Sequence, residues 1–289
     1  MTEAKKGVGV ELFKAGIGCF ATILAAVIGG IFLLLNTERQ SRNATPVLPT
    51  PSPTSAASET LCTGVQTYLV RSYFPEDEIK ECWGHDHYLT GLAYGKGSWV
   101  AVMSKGTGFT NQSYVQESEF PKDSVRGYWN RDFYITEAYF GDGNWVVAMS
   151  EGTGFANQVY FLDAAFPEKN IQQRWDQGYS VSTLAYGDGL WLVVMTKGIA
   201  PQDQSSYASA SFPEDRIRSD WDSGSDLTDA AYGDGKWVII MSESVGYADQ
   251  TYLKGPDVPA DGIKKHWDKD LDITSVTFGE NSWLFTLSK

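Results

Sequence analysis

Positive charge is scarce in this chain of 289 residues: 23 lysines and arginines stand against 36 aspartates and glutamates, a formal net charge of −13. That balance excludes a nucleic-acid surface, which needs clustered Lys and Arg for the phosphates. The acids are spread along the chain rather than gathered in a tail, so they read as a self-repelling, soluble surface. Histidine is rarer still, at three. His85 and His87 share a loop and His266 is distant, with no thiol or carboxylate pattern to complete a metal site, so neither metal nor other cofactor is expected. The signatures of group transfer are missing too: no Gly-rich nucleotide loop with a downstream Lys, no His-Arg-Asp or Asp-Phe-Gly, no nucleophile elbow. Of three cysteines Cys19 lies in an apolar run, which leaves Cys62 and Cys82. These fit either a bridge closing about 20 residues, worth roughly 3 kcal/mol in an oxidising compartment, or two plain thiols.

Charge is absent altogether from Ala15 to Leu35, AGIGCFATILAAVIGGIFLLL. As a helix this stretch would extend about 31 Å, the thickness of a hydrocarbon core. Asn36-Thr37-Glu38-Arg39 follows it where a cleavage site would stand, so the segment reads as an uncleaved signal-anchor in the bilayer. Lys5, Lys6 and Lys14 before it, against Arg39 and Arg42 after it, favour a cytoplasmic tail over residues 1–14 and an extracytoplasmic remainder. Ala21, Ala25 and Gly29 stand four apart, a stripe that would let two such helices pair into a dimer and that equally suits an ordinary membrane helix. Residues 36–60 include NATPVLPTPSPTSAASET, whose prolines, serines and threonines cannot build a core and make an extended linker.

What the chain has in abundance is repetition. YGKGSWVAVMS (Tyr94–Ser104) returns as FGDGNWVVAMS, YGDGLWLVVMT, YGDGKWVIIMS and FGENSWLFTLS, each beginning 46 residues after the last. Gln66, Gln112, Gln158, Gln204 and Gln250 mark the same period. Seventeen residues after each comes a tryptophan, sixteen further on another, and these account for all ten in the chain. Within one unit YITEAYFG alternates like a strand, Gly-Asp-Gly makes a tight hairpin, and WVVAMS reads as a strand buried on both faces. QVYFLDA forms a third strand, FPEKNIQQRW a short helix with Ile171 and Trp175 inward, and Trp-Asp-x-Gly-Tyr a candidate fourth strand. The expectation is an all-β domain with short helices over residues 61–289: a five-bladed β-propeller. Because the period begins at a third strand and ends after a second, its N- and C-terminal half-blades should pair and close the ring.

The run MSKGTGFTNQSY followed by Phe-Pro, Trp and Tyr-Ile-Thr (Met103 to Thr136) resembles the repeat domain at the C-terminus of plant casein-kinase-like nuclear kinases. Similar repeats occur in bacterial proteins, some kinase-associated, and the domain is one of unknown function. The resemblance covers roughly Val65 to Lys289, without a kinase domain and with a membrane anchor added. It implies an accessory recognition module and supplies no catalytic residue.

Gly106-Thr107-Gly108-Phe109 and Gly152-Thr153-Gly154-Phe155 lack the Lys-Ser/Thr of a phosphate loop and read as turns. In a propeller these loops share a face with the Trp-Asp turns. Phe109, Phe155 and Tyr247 should therefore rim that face beside Asp176, Asp222 and Asp268, a set suited to peptide or glycan. The leading expectation is a membrane-anchored, non-enzymatic module that binds a protein or cell-surface glycan outside the cytoplasm. The alternative is a glycan hydrolase with a carboxylate pair in the central channel.

Overall fold

The structure, a computed structural model, describes residues 61–198 and 203–289. The expected tail, membrane span, helix-dimer stripe and linker lie outside the described residues, and among the described residues no helix is long and apolar enough to cross a membrane. The fold is mostly β: five three-stranded antiparallel sheets, each with one short helix.

The first repeat sets the plan. An outer strand (Gln66–Arg71) leads to a helix (Glu76–Trp83), then to an inner strand (Tyr88–Gly95) that turns back into a central strand (Ser98–Ser104). The helix starts where Pro75 fixes the backbone and its carbonyl accepts from Ile79 N–H at 2.9 Å, with Glu76, Asp77 and Glu78 at the positive end of the dipole. The later inner strands are Tyr134–Gly141, Tyr179–Gly187, Ser225–Gly233 and Asp272–Gly279, and the later central strands are Asn144–Glu151, Leu190–Lys197, Lys236–Glu243 and Ser282–Ser288. Each hairpin turns on two residues at positive φ, such as Asp142 (50°) and Gly143 (75°), the conformation of a type I′ turn.

Two expectations are corrected. No fourth strand forms: Trp175 ends a helix, Gly178 N–H closes the turn onto its carbonyl at 2.8 Å, and Tyr179 opens the inner strand. Nor do half-blades from the two termini pair. Gln66–Arg71 pairs with the central strand of its own repeat, from Gln66 opposite Ser104 to Arg71 opposite Trp99, and Ser282–Ser288 pairs with Gln250–Gly255. Every sheet is therefore one contiguous repeat. The helix is the physical reason, because it carries the chain from the outer to the inner edge and leaves the outer strand free to pair within its own sheet. The glycine loop after the central strand, with Gly106 and Gly108 at positive φ, then passes to the next sheet.

Closure is achieved by side chains. The inner strands lie against one another in a cycle, first to second and on to fifth, and the fifth returns to the first. A glutamine spans each seam, buried in the first three repeats and half-buried in the last two. The Gln158 carbonyl accepts from Trp129 Nε1 (3.0 Å) and Ile135 N–H (2.7 Å) of the preceding repeat, while its amide donates to Ile135 O (2.8 Å) and Thr196 Oγ1 (3.1 Å). Gln112, Gln204 and Gln250 repeat this pattern. Gln66 completes it across the ends of the ring, on Trp267 Nε1 (3.0 Å) and Ile273 N–H (2.7 Å) and O (2.9 Å).

The repeated Tyr/Phe-Gly pair has the same cyclic logic. Tyr94 packs on its own Trp99 with ring centroids 5.1 Å apart, and it fills the space where a Cβ on Gly141 would stand, 2.3 Å from the Tyr94 Cβ. Gly187, Gly233 and Gly279 receive Phe140, Tyr186 and Tyr232 likewise, and Gly95 receives Phe278 from the fifth repeat. Trp99, Trp145, Trp191, Trp237 and Trp283 are at most 2% exposed, each indole worth on the order of 4–6 kcal/mol of burial as an upper bound. The core across the terminal seam joins Ala93, Val100 and Val102 to Ile273, Trp283 and Phe285. The five units are compatible with a propeller-like fold.

Candidate functional site

Two places gather polar side chains around open space: the seams on the loop face, and the axis of the ring. Ser104 lies opposite both Gln66 and Tyr88, so outer-strand starts, inner-strand starts and central-strand ends share one face.

At the seam between the third and fourth repeats a groove of about 330 Å³ lies over the Trp175–Gln204 pair, walled by Gln172, Asp176, Asp203 and Glu243. Residues 199–202, which precede Asp203 in the chain, lie outside the described residues. The equivalent place at the seam between the fifth and first repeats is a groove of about 380 Å³ over Trp267–Gln66, walled by Gly64, Val65, Asp270 and Asp272. Val65 there is 64% exposed, an apolar edge on a carboxylate-lined groove. Lys289 Nζ meets Asp270 at 2.8 Å and holds that carboxyl below its usual range. Asp272 is raised, by burial first and by Asp270 second.

The six residues singled out in the sequence divide. Asp176, Asp222 and Asp268 are exposed at the helix C-termini, and of these Asp176 lines a groove. Asp176 accepts from the side-chain amide of Gln172 at 3.3 Å. Phe109 and Phe155 are half-buried, edge-on to Tyr88 (5.9 Å) and Tyr134 (5.8 Å) at the start of the adjacent inner strands. Tyr247 is half-buried, its hydroxyl bonded to Thr274 and Ser288 and its pKa raised by burial and by Asp226. Neither groove is lined by these aromatics, which pack at other seams. His87 is fully buried, its ring nitrogens facing the carbonyls of His85 (3.0 Å) and Gly64 (3.2 Å). Cys62 and Cys82 form a disulfide, Cα atoms 5.4 Å apart, which pins the segment before Gly64 to the first helix.

The axis was not marked in the sequence. A β-bulge in every inner strand, at Thr90, Thr136, Ser182, Thr228 and Thr274, turns the next residue toward the centre. Those residues are Gly91, Glu137, Thr183, Asp229 and Ser275, and they line an interior space of about 60 Å³. Tyr139 reaches past the first repeat to the backbone of the fifth, its hydroxyl accepting from Phe278 N–H at 3.2 Å. Glu137 and Asp229 lie deep in the ring, yet both keep surface on this water-sized space. Burial pushes Glu137 well above the usual carboxylate range, and the nearby Asp229 adds to the shift. Burial pushes Asp229 up to about 7 against the pull of hydrogen bonds from the Ala230 and Leu184 backbones. The signal that could have found the pair was one repeat position bearing two acids among Gly, Thr and Ser.

A family model described as a domain of unknown function, DUF7477, matches residues 56–189 and again residues 184–289. No curated protein matches the chain.

Proposed function

The chain belongs to the DUF7477 family, and we propose that its repeats form a five-bladed propeller serving as the non-catalytic recognition module of a membrane-anchored protein. In this reading Ala15–Leu35 crosses the bilayer, the N-terminus is cytoplasmic, and the ring stands outside on the Pro-rich linker, where Cys62–Cys82 stays oxidised. The partner is a protein segment or a cell-surface glycan that enters the loop-face seams. The resemblance to repeats that accompany kinases suits an accessory module of this kind.

The observation that carries the proposal is the pair of seam grooves, about 330 and 380 Å³, at equivalent places over tryptophan–glutamine pairs and walled by carboxylates. Their size is that of a ligand pocket, and their carboxylates can accept from sugar hydroxyls or cationic side chains. The hydrolase alternative would use Glu137 and Asp229, but a space of about 60 Å³ holds a few waters and excludes a sugar ring.

The full chain in detergent, titrated with envelope fractions stripped of protein or of glycan, tests this reading. Saturable binding that Asp176→Asn with Glu243→Gln, or Asp270→Asn with Asp272→Asn, weakens at least tenfold is the expected result. Release of reducing sugar, or binding indifferent to both pairs, overturns it.

A further inference from the structure

We propose that the axis of the ring binds one oxygen-preferring divalent cation, held between Glu137 and Asp229 with the hydroxyl of Thr183 as a third ligand. The inference is independent of what the seams recognise.

Geometry comes first. Five equivalent positions, each turned inward by the same bulge, converge on one interior space, and their side chains offer only oxygen: two carboxylates and the hydroxyls of Thr183 and Ser275. No Lys, Arg or His lines that space, so nothing in the wall neutralises the two acids. Buried like charges without a counter-charge are costly, and two carboxylates are neutralised by one divalent ion.

Thr183 supplies the second observation. It is 5% exposed, it lines the same space, and its Oγ1 has no hydrogen-bond partner. A buried hydroxyl left without a partner is costly, and the bulge residue next to it in its own strand, Ser182, shows the contrast, bonded to Thr196 at 2.7 Å. Thr183 stands in the repeat between those of Glu137 and Asp229, where a ligand between the carboxylates is within its arc of the ring. The space admits an ion with a water or two. Mixed carboxylate, hydroxyl and water oxygens in irregular array suit calcium better than magnesium, which demands a near-ideal octahedron.

The test is calorimetric titration of CaCl₂, and separately MgCl₂, into EDTA-treated full chain in detergent, with thermal melts alongside. One site per chain is expected, with a Tm rise of roughly 5–10 °C at a hundred times Kd. Glu137→Gln and Asp229→Asn should each weaken binding at least tenfold, Thr183→Val by less, and Asp142→Asn in an exposed hairpin turn should leave it unchanged. Magnesium binding with the same variant pattern also supports the site. No heat and no melt shift with either metal in the wild-type chain overturns the proposal, whether or not the variants fold. Binding that survives Glu137→Gln and Asp229→Asn together overturns it as well. So does a double variant that melts higher than wild type while wild type ignores both metals, since the pair then shares a proton.

Discussion

At every seam of the ring a glutamine joins the same partners, a tryptophan N–H and one residue's backbone N–H and C=O, whereas the position facing the axis is in turn Gly91, Glu137, Thr183, Asp229 and Ser275. The seams are five copies of one device, and the axis is five different residues on one scaffold. Identity marks what the ring needs in order to close. Variety marks where the constraint is lifted, and there two carboxylates are free to occur.

The comparison can be broken most forcefully at the seams. Gln66→Leu should cost about as much as Gln158→Leu, each roughly 3–6 kcal/mol, because each orphans an indole N–H, a backbone N–H and a carbonyl. Denaturant melts read this directly, and a Gln66 variant far milder than its counterpart would mean that the terminal seam is open. At the axis the lever is pH. Asp229 rises from 3.8 to about 7 on folding, so between those values the folded chain holds more protons than the unfolded one, and raising pH removes stability. In EDTA the share of that loss due to Asp229 should be on the order of 4 kcal/mol from pH 4 to pH 7, and Asp229→Asn should remove it while leaving the part that buried Glu137 contributes. A flat profile in the wild-type chain would show that Asp229 is not held in a water-poor site.

Reduction of Cys62–Cys82 should cost about 3 kcal/mol. It acts on the first repeat alone, so hydrogen exchange should quicken at residues 61–87 and not at the equivalent stretch of the third repeat. The smallest effect is expected for Asp176→Asn, whose exposed carboxylate should change stability by no more than about 0.5 kcal/mol while weakening ligand uptake at the seam.

Much of this was legible beforehand, for reasons the residues make plain. Strands such as Tyr134–Gly141 and the helix Glu168–Trp175 follow from alternation, apolar runs and the proline that opens the helix. Trp99 and its equivalents had to be framework, since all ten tryptophans keep the period. Which outer strand pairs with which central strand was hidden. Ser98–Ser104 has one candidate partner before it and one after it, and spacing alone treats them alike. The helix that returns the chain decides, and its packing is tertiary. The rim of aromatics and aspartates was only half visible for a related reason: Phe109 and Phe155 found Tyr88 and Tyr134 to pack against, and a half-buried ring is less available as a rim. Glu137 and Asp229 read as ordinary strand acids until the bulges turn them inward.

Because each sheet is one unbroken repeat, its strand pairings stay short in sequence, from Gln66 to Ser104 in the first and from Asn111 to Glu151 in the second. A chain emerging from the ribosome at about 5–20 residues per second could finish a sheet every few seconds and leave no strand waiting for the far terminus. Contacts between the first repeats and the last must wait for the end of synthesis, the glutamine at Gln66 and the Tyr139–Phe278 bond among them. Assembly is therefore vectorial until its final step, and gaining or losing one 46-residue unit would cut no sheet in two.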